Sequence, residues 1–491
     1  MKLNKIISFL TEEGGDFKHK IIRSSFWMVL ANTIIRILEF VRSIILARLL
    51  TPEIFGIWGI VNFIRQGIEV FTQTGFGAEL IHRQKRVKEA ADVAWTLNIL
   101  RGFILTIICF VLAPYVARFY HTPVLEVLLR VVGISFLIRG FSNINVIFFQ
   151  KELEFKKIAA LQQSTVLIGL VVTLLLAFLW RNVWALVWGT LAYFTADLIL
   201  SYIIQKIKPK IHFEKDLLKE IFRYGIFITA SGIVIFLTTE LDNAFVGKML
   251  GMKALGFYTL AYTLANLPAT EITHVVSKVM FPAYSQLQGN KHKLKLLYLK
   301  TLKLVSTFTI PAAVGIGFLA QDIVSLIYGY KWIQAIPSLR ILCIFGAIRS
   351  LAATAGPVYN AIGLPKIPFI LNTLRLFFIL LTIYPLTDCY GIKGTAYCVT
   401  ISIIVTALIS WKILSKLIKL SNYDIVKALL FPLLNSGIMI ISLSLIKMMI
   451  DVPISFISLC FLIIIGILIY VITFSVLQPA YIRYIIGLVR N

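Results

Sequence analysis

The chain has 491 residues, 59% of them hydrophobic, and a formal net charge of +25, with a mean hydropathy of +0.88. A water-soluble protein of this size could not hide that much apolar side chain, so a soluble enzyme or regulator is excluded. Short alternating segments of the outer-membrane-barrel kind are absent, and the Lys and Arg excess reads as loop charge in a membrane protein rather than as a nucleic-acid footprint.

The first twenty residues, MKLNKIISFLTEEGGDFKHK, are polar and charged and hold no apolar core with a small-residue cleavage site, so no signal peptide is expected. Apolar runs of about twenty residues then recur to the C-terminus, each long enough to cross about 30 Å of hydrocarbon. They predict helices over 22–46, 54–78, 91–117, 126–149, 157–180, 183–205, 220–247, 254–278, 301–327, 335–360, 365–387, 391–414, 425–448 and 453–477. Pro52, Pro123, Pro337 and Pro365 fall near helix starts, where proline is tolerated. With the N-terminus placed inside, Lys and Arg in the inner segments outnumber those in the outer loops by about four to one. Both termini are therefore expected in the cytoplasm. The outer loops are short, which leaves little chain from which to build an extracytoplasmic catalytic site.

Two related halves are legible. ARLLTPEIFGIW from Ala47 matches GKMLGMKALGFY from Gly247 at an offset of 200, and LLRVVGISFLIRG from Leu128 matches SLRILCIFGAIRS from Ser338 at an offset of 210. Arg130 falls on Arg340, Arg139 on Arg349 and Lys156 on Lys366. The offset spans an even number of helices, so both halves enter the membrane in the same direction, as a parallel repeat. The expected architecture is an all-α polytopic membrane protein of about fourteen transmembrane helices. Its parts are a cytoplasmic segment 1–21, a six-helix bundle 22–205, a cytoplasmic linker 206–219, a second six-helix bundle 220–415, helices 13 and 14 over 425–477, and a cytoplasmic tail 478–491.

Charges inside the predicted spans point to function, because a charge at the bilayer centre costs about 2.5–3.5 kcal/mol on insertion scales. Asn32, Arg36, Glu39 and Ser43 form one stripe on the first helix, with Arg42 beside it, and Asn62, Arg65, Glu69 and Gln73 form another on the second. Either the stripes face a shared wet cavity, or Arg36 with Glu39 and Arg65 with Glu69 neutralise each other as helix neighbours. The second half differs: Phe236, Thr239 and Asp242 stand at the places of Arg36, Glu39 and Arg42, Glu240 is added, and Glu271 and His274 lie slightly beyond the matching positions of the next helix. These carboxylates either carry H+ or bind Na+ as a coupling ion, or lie at the outer end and face water. Arg139 and Arg349 recur in both halves, which suits an architectural role as well as substrate contact. Arg375 and Asp197 are lone span charges. No P-loop, nucleophile elbow or metal-ligand cluster is present, so neither an enzyme nor an ATP-driven pump is expected and no cofactor is implied. Five scattered cysteines, Cys109, Cys343, Cys389, Cys398 and Cys460, have no metal-site spacing.

Several segments together resemble the polysaccharide-transporter branch of the multidrug/oligosaccharidyl-lipid/polysaccharide exporter superfamily. They are Ser25-Phe26-Trp27, ARLLTPEIFG from Ala47, Gly75-Phe76-Gly77, FQKELEFKKIAALQQ from Phe149, WALVWG from Trp184, YNAIGLPK from Tyr359 and YGIKGTAYC from Tyr390. The resemblance implies a cytoplasmic-membrane flippase that moves a polyprenyl-diphosphate-linked oligosaccharide between leaflets for O-antigen, capsule or exopolysaccharide synthesis. It also implies membrane lipids, glycosyltransferases and a polysaccharide polymerase as partners, and no nucleic acid. Arginine suits a diphosphate because its planar fork donates in pairs and stays charged. The substrate contacts expected are Arg36, Glu39, Arg42, Asn62, Arg65, Glu69 and Arg349, and the ion-coupling residues Glu240, Asp242, Glu271 and His274. A multidrug/cation antiporter of the same superfamily would need an acidic, aromatic cavity, and a glycan polymerase or ligase would need a long outer loop. A non-transporting scaffold would leave the buried charge unexplained.

Overall fold

The computed structural model describes residues 34–72, 80, 83, 85–152, 154–450 and 455–479, without the side chains at 215–216, 218–228, 270–275, 277–279 and 450. Every regular element among them is helical. A helix over 34–49 (α1) is followed by α2 (Pro52–Phe71), α3 (Val87–Phe119), α4 (Val124–Gly140), the short α5 (Ile147–Lys151), α6 (Phe155–Trp180), α7 (Trp184–Ile204) and α8 (Lys215–Gln286). Then come α9 (Lys291–Phe318), α10 (Ile336–Ala353), α11 (Ala355–Ala361), α12 (Lys366–Tyr390), α13 (Ile392–Ile418), α14 (Asn422–Ile450) and α15 (Phe456–Leu477). Ten helical stretches among the described residues are long and apolar enough to cross a membrane, and the chain is a multi-pass integral membrane protein.

The differences from the predicted spans have local causes. The expected seventh and eighth spans are two helices merged within α8, separated by a sharp break at Gly251, whose φ of 84° and ψ of 174° lie where only glycine sits readily. Thr51 occupies the matching place in the first half and acts as N-cap of α2, accepting from Ile54 N at 3.4 Å, with Pro52 at the first helical position. The expected fourth span reached residue 149, but α4 stops at Gly140. The chain turns there because Asn143 leaves the helix: its side chain accepts from Asn145 N at 3.0 Å and donates to the carbonyl oxygens of Gln205 and Ile207. The tenth span, by contrast, runs on past Ala353 through Thr354, which keeps helical φ and ψ, and ends with α11 at Ala361. In the other direction, α9 begins at Lys291, ten residues before its apolar run, because Asn290 caps it by accepting from Lys293 N at 3.0 Å.

The chain divides into two compact units at Phe236/Leu237, inside α8. In the first unit α3 packs on α4, α6 on α7, α4 on α7, and α2 on both α3 and α4. Small residues let these backbones close up. A Cβ on Gly102 would lie 2.7 Å from Phe136 O, and one on Gly189 only 1.8 Å from Thr173 Oγ1.

One end of this unit is laced by residues 205–214, which are not helical. Gln205 donates to Asn145 O, Lys210 N to Asp92 Oδ1 at 2.9 Å, and His212 N to Thr96 Oγ1 at 3.0 Å. Arg86 then forks onto Glu214 at 2.9 and 2.7 Å. That fork holds the Glu214 carboxyl below its ordinary range and raises the arginine above its own. Helix resumes at Lys215, inside the expected 206–219 linker.

In the second unit α9 packs on α10, α13 and α14, α12 on α13, and α10 on α13. Tyr298, Leu302 and Val305 of α9 meet Leu351, Val358, Tyr359 and Leu414 in its main apolar core. A Cβ on Gly346 would fall 2.4 Å from Ala265 O, so α10 lies directly on the second segment of α8. Helices α14 and α15, outside the repeat, are fastened by Met439, Leu443, Leu459 and Leu462 packing under Leu319. The Tyr470 hydroxyl adds a bond, donating to Thr307 O at 2.8 Å.

Candidate functional site

The last turn of α2 gathers the charged groups of the first unit. Asn62, Arg65 and Glu69 share one face of this helix; Gln73 lies outside the described residues, as does Asn32 on the first helix. Arg65 Nη1 donates to Glu69 at 3.4 Å, and Arg139 of α4 donates to the other oxygen of the same carboxylate. Arg101 of α3 reaches the backbone instead: Nη2 donates to Glu69 O at 2.9 Å and to Thr72 Oγ1 at 3.0 Å. Three guanidinium groups from three helices therefore meet at one helix C-terminus. The orphan carbonyls and the negative end of the helix dipole favour cations there.

Beside them is a cavity of about 220 Å³, lined among others by Glu69, Asn98, Arg101, Arg139, Ser142 and Asp197. Asp197 of α7 is held by the Ser142 hydroxyl, which donates to it at 3.1 Å. Arg65 lies over the Phe194 ring, 5.7 Å from its centroid, and its buried Nε has no hydrogen-bond partner. Counting Arg65, the cluster holds three positive and two negative groups, so a net positive charge remains after internal pairing. Both neutralising helix-neighbour pairs foreseen from the sequence do form, but Glu69 is shared with Arg139, which the spacing on α2 alone could not show.

The other sequence candidates of this unit lie elsewhere. Arg36 and Glu39 pair at 3.2 Å with side chains 54% and 39% exposed, and Arg42 is half-buried. None of these three lines the cavity, nor does Asn62.

The second unit holds a different polar cluster. Asp242 is buried and accepts from the Tyr258 hydroxyl at 2.6 Å and from Asn243 N at 2.9 Å. Asn243 in turn donates to Glu240 at 2.9 Å. Neither carboxylate lies open to water at a helix end: Asp242 is 2% exposed and Glu240 is half-buried. Arg349 of α10 donates to Asn266 Oδ1 at 3.0 Å and to the Tyr262 hydroxyl at 3.3 Å. Arg375 of α12 is buried, with its Nε unpartnered, close enough to interact electrostatically with Asp242, Tyr258 and Tyr262. Both arginines flank the Phe345 ring, at 6.0 and 5.2 Å from its centroid. Two carboxylates thus face two guanidiniums. The side chains of Glu271 and His274 lie outside those described.

The repeated arginines have parallel positions. Arg139 reaches from α4 to α2, and Arg349 reaches from α10 to the second segment of α8, the helix that matches α2 in the repeat. Arg101, Arg139, Asp197 and Arg375 are charged site groups absent from the contacts expected from the sequence. Each is a single charge in an apolar run without a helical-neighbour partner, so the sequence carries its cost but not its location. No group of three or more His, Cys, Asp or Glu suited to a metal ion occurs among the described residues.

A family profile described as "Polysaccharide biosynthesis protein" matches residues 45–337. An uncharacterized membrane protein in the cps region of Klebsiella pneumoniae is 26% identical over 483 residues, covering 96% of this chain and 98% of the relative. The lipopolysaccharide biosynthesis protein WzxC of Escherichia coli K12 is 26% identical over 408 residues, 83% of each chain. Among solved structures, the lipid II flippase MurJ in an inward closed conformation matches with a TM-score of 0.77 and 20% identity, over 93% of this chain and 100% of that one. The fold is therefore of the same kind as that flippase.

Proposed function

Because this chain belongs to the polysaccharide biosynthesis protein family, we propose that it is a flippase for an oligosaccharide carried on a polyprenyl diphosphate. It moves the charged head and sugars through a wet passage by alternating access, while the lipid tail stays in the bilayer. The observation that carries this reading is the meeting of Arg65, Arg101 and Arg139 beside a cavity that also offers Asn98, Ser142 and Asp197. Guanidinium forks suit the phosphates, and the neutral and acidic groups suit sugar hydroxyls. The fold shared with a lipid II flippase and the likeness to a lipopolysaccharide biosynthesis protein support the substrate class. The charge bias of the loops supports a cytoplasmic membrane with both termini inside. Glycosyltransferases would supply the substrate, and a polymerase would consume it on the outer side.

Coupling is assigned to Glu240 and Asp242. Asp242, beside Arg349 and Arg375, already accepts from the Tyr258 hydroxyl and Asn243 N; a Na+ would need several free oxygen ligands there, whereas a proton needs a single carboxylate lone pair. We therefore favour H+ as the coupling ion. The same two arginines weigh against a site for cationic drugs.

The test is complementation of a strain lacking its own flippase. Arg101→Ala and Arg139→Ala should insert normally yet export no glycan and accumulate lipid-linked oligosaccharide facing the cytoplasm. Lysine at either position should restore only part of the export, since a point charge cannot grip a diphosphate with two prongs. Full export by both alanine variants would overturn the proposal.

A further inference from the structure

The connection from α9 to α10 in the second unit carries a cavity of its own. After Phe318 the chain makes one helical turn, Ala320–Asp322, then a wide turn over Ile323–Tyr328 and a tight one over Tyr330–Ala335. The wide turn is closed by Gly329 N donating to Val324 O at 2.8 Å, five residues back, and Gly329 has φ 102° and ψ 160°. Such widened turns cluster at functional positions, and that backbone region is nearly glycine-only. The segment is fixed on both sides. Trp332 is fully buried edge-on to Phe257, with ring centroids 6.0 Å apart, and Lys447 of α14 pairs with Asp322. The cavity beside it has a volume of about 270 Å³ and is lined among others by Gln321, Ser325, Tyr330, Ile333, Ile336 and Arg340.

Arg340 distinguishes this place from its counterpart in the first half. There Arg130 pairs with Glu126, four residues earlier, at 2.7 Å. The position four residues before Arg340 is Ile336. Arg340 is exposed, and among the described residues no ion pair or hydrogen bond engages its guanidinium. A charge whose repeat-mate is neutralised thus stands open over a cavity that also presents isoleucine side chains, at the end of one spanning helix and the start of the next.

We propose that this cavity binds the phosphate of an anionic glycerophospholipid. Arg340 grips two phosphate oxygens, the Gln321 amide and the Tyr330 hydroxyl donate to the head group, and Ile333 and Ile336 take the start of the acyl chains. A phosphate ester with an apolar tail fits because the site joins an unpaired fork to an apolar wall at the level of a membrane face. The inference does not depend on what the protein transports. Only the leaflet depends on the orientation proposed above, which labelling of a Lys331→Cys variant from outside the cell, in a background without the five native cysteines, reads separately.

The test is native mass spectrometry of the purified full chain with three probes: phosphatidylglycerol, diacylglycerol and inorganic phosphate. Wild-type protein should retain phosphatidylglycerol in preference to either part alone. Arg340→Gln should weaken retention about tenfold, Arg340→Lys should keep part of it, and Arg130→Gln, which alters the paired repeat-mate, should leave it unchanged. Equal retention by wild type and Arg340→Gln would overturn the assignment. So would inorganic phosphate held as tightly as the lipid, which makes this a plain anion site, or diacylglycerol held as tightly, which makes it a purely apolar groove.

Discussion

Removing the charge of Glu69 probes the arginine cluster most directly. At 3.4 Å from Arg65, and with an effective dielectric near 20, the attraction is about 5 kcal/mol before desolvation. Glu69 is 24% and Arg65 16% exposed, so the pair is neither a surface contact, worth about 0–1 kcal/mol, nor a sealed one whose breaking costs about 3–5 kcal/mol. Arg139, 53% exposed, adds little more. Glu69→Gln keeps the acceptor oxygen and the shape, so the expected cost is about 1–2 kcal/mol of stability. The same substitution frees two guanidiniums from a competing carboxylate. If a diphosphate takes the place of Glu69 as counter-charge, its affinity should rise, by at most the energy no longer spent on the internal pair, about 5–30-fold. Farnesyl diphosphate is a short soluble probe for this. Thermal unfolding in detergent measures the first quantity and isothermal titration the second. Tighter binding should also slow release, so export in cells should fall. A Glu69→Gln protein that is less stable and also binds the probe more weakly would refute the reasoning, since the carboxylate would then be serving the ligand rather than competing with it.

Three further outcomes follow from the geometry. Gly189→Val should part α6 from α7, because even a Cβ would fall 1.8 Å from Thr173 Oγ1; the loss should be about 1–3 kcal/mol or more. Gly437→Ala, where a Cβ meets nothing within 4 Å, should be neutral or slightly stabilising in the same unfolding assay. Joint replacement Glu240→Gln and Asp242→Asn should leave diphosphate binding largely intact while making flipping in proteoliposomes indifferent to an imposed pH gradient; wild-type flipping that already ignores the gradient defeats the coupling idea.

Much of the fold was legible because membrane helices announce themselves by apolar length, and caps mark where they begin. Thr51 with Pro52 shows this well: a hydroxyl followed by a residue that lacks an N–H is a helix start on chemistry alone. Hydropathy fails where polarity and helicity diverge. The lysine-rich opening of α9 is helical yet not apolar, and past Gly140 the helix is interrupted inside an apolar run, because Asn143 finds better partners in Gln205 and Ile207 than in its own helix. The stripe on α2 was visible as periodicity within one helix. Its completion by Arg101, Arg139 and Asp197 was not, because that depends on which helices lie side by side, and no period within a single span records its neighbour. The repeat gave a partial remedy. Arg139 and Arg349 stand out in it, and both cross to the equivalent helix of their own unit.

The lacing at residues 205–214 has a consequence for how the protein is made. Five polar groups of α7 and this segment find a partner already synthesised: Ser142 for Asp197, Asn145 for Gln205, Asp92 and Thr96 for the backbone of Lys210 and His212, and Arg86 for Glu214. Glu69 would otherwise wait for Arg139, seventy residues downstream, but Arg65 emerges four residues before it. The earlier members of these pairs do wait: Asp92, Thr96 and Arg86 gain these partners only when residues 118, 116 and 128 positions downstream are made, so the lacing closes last and completes the unit.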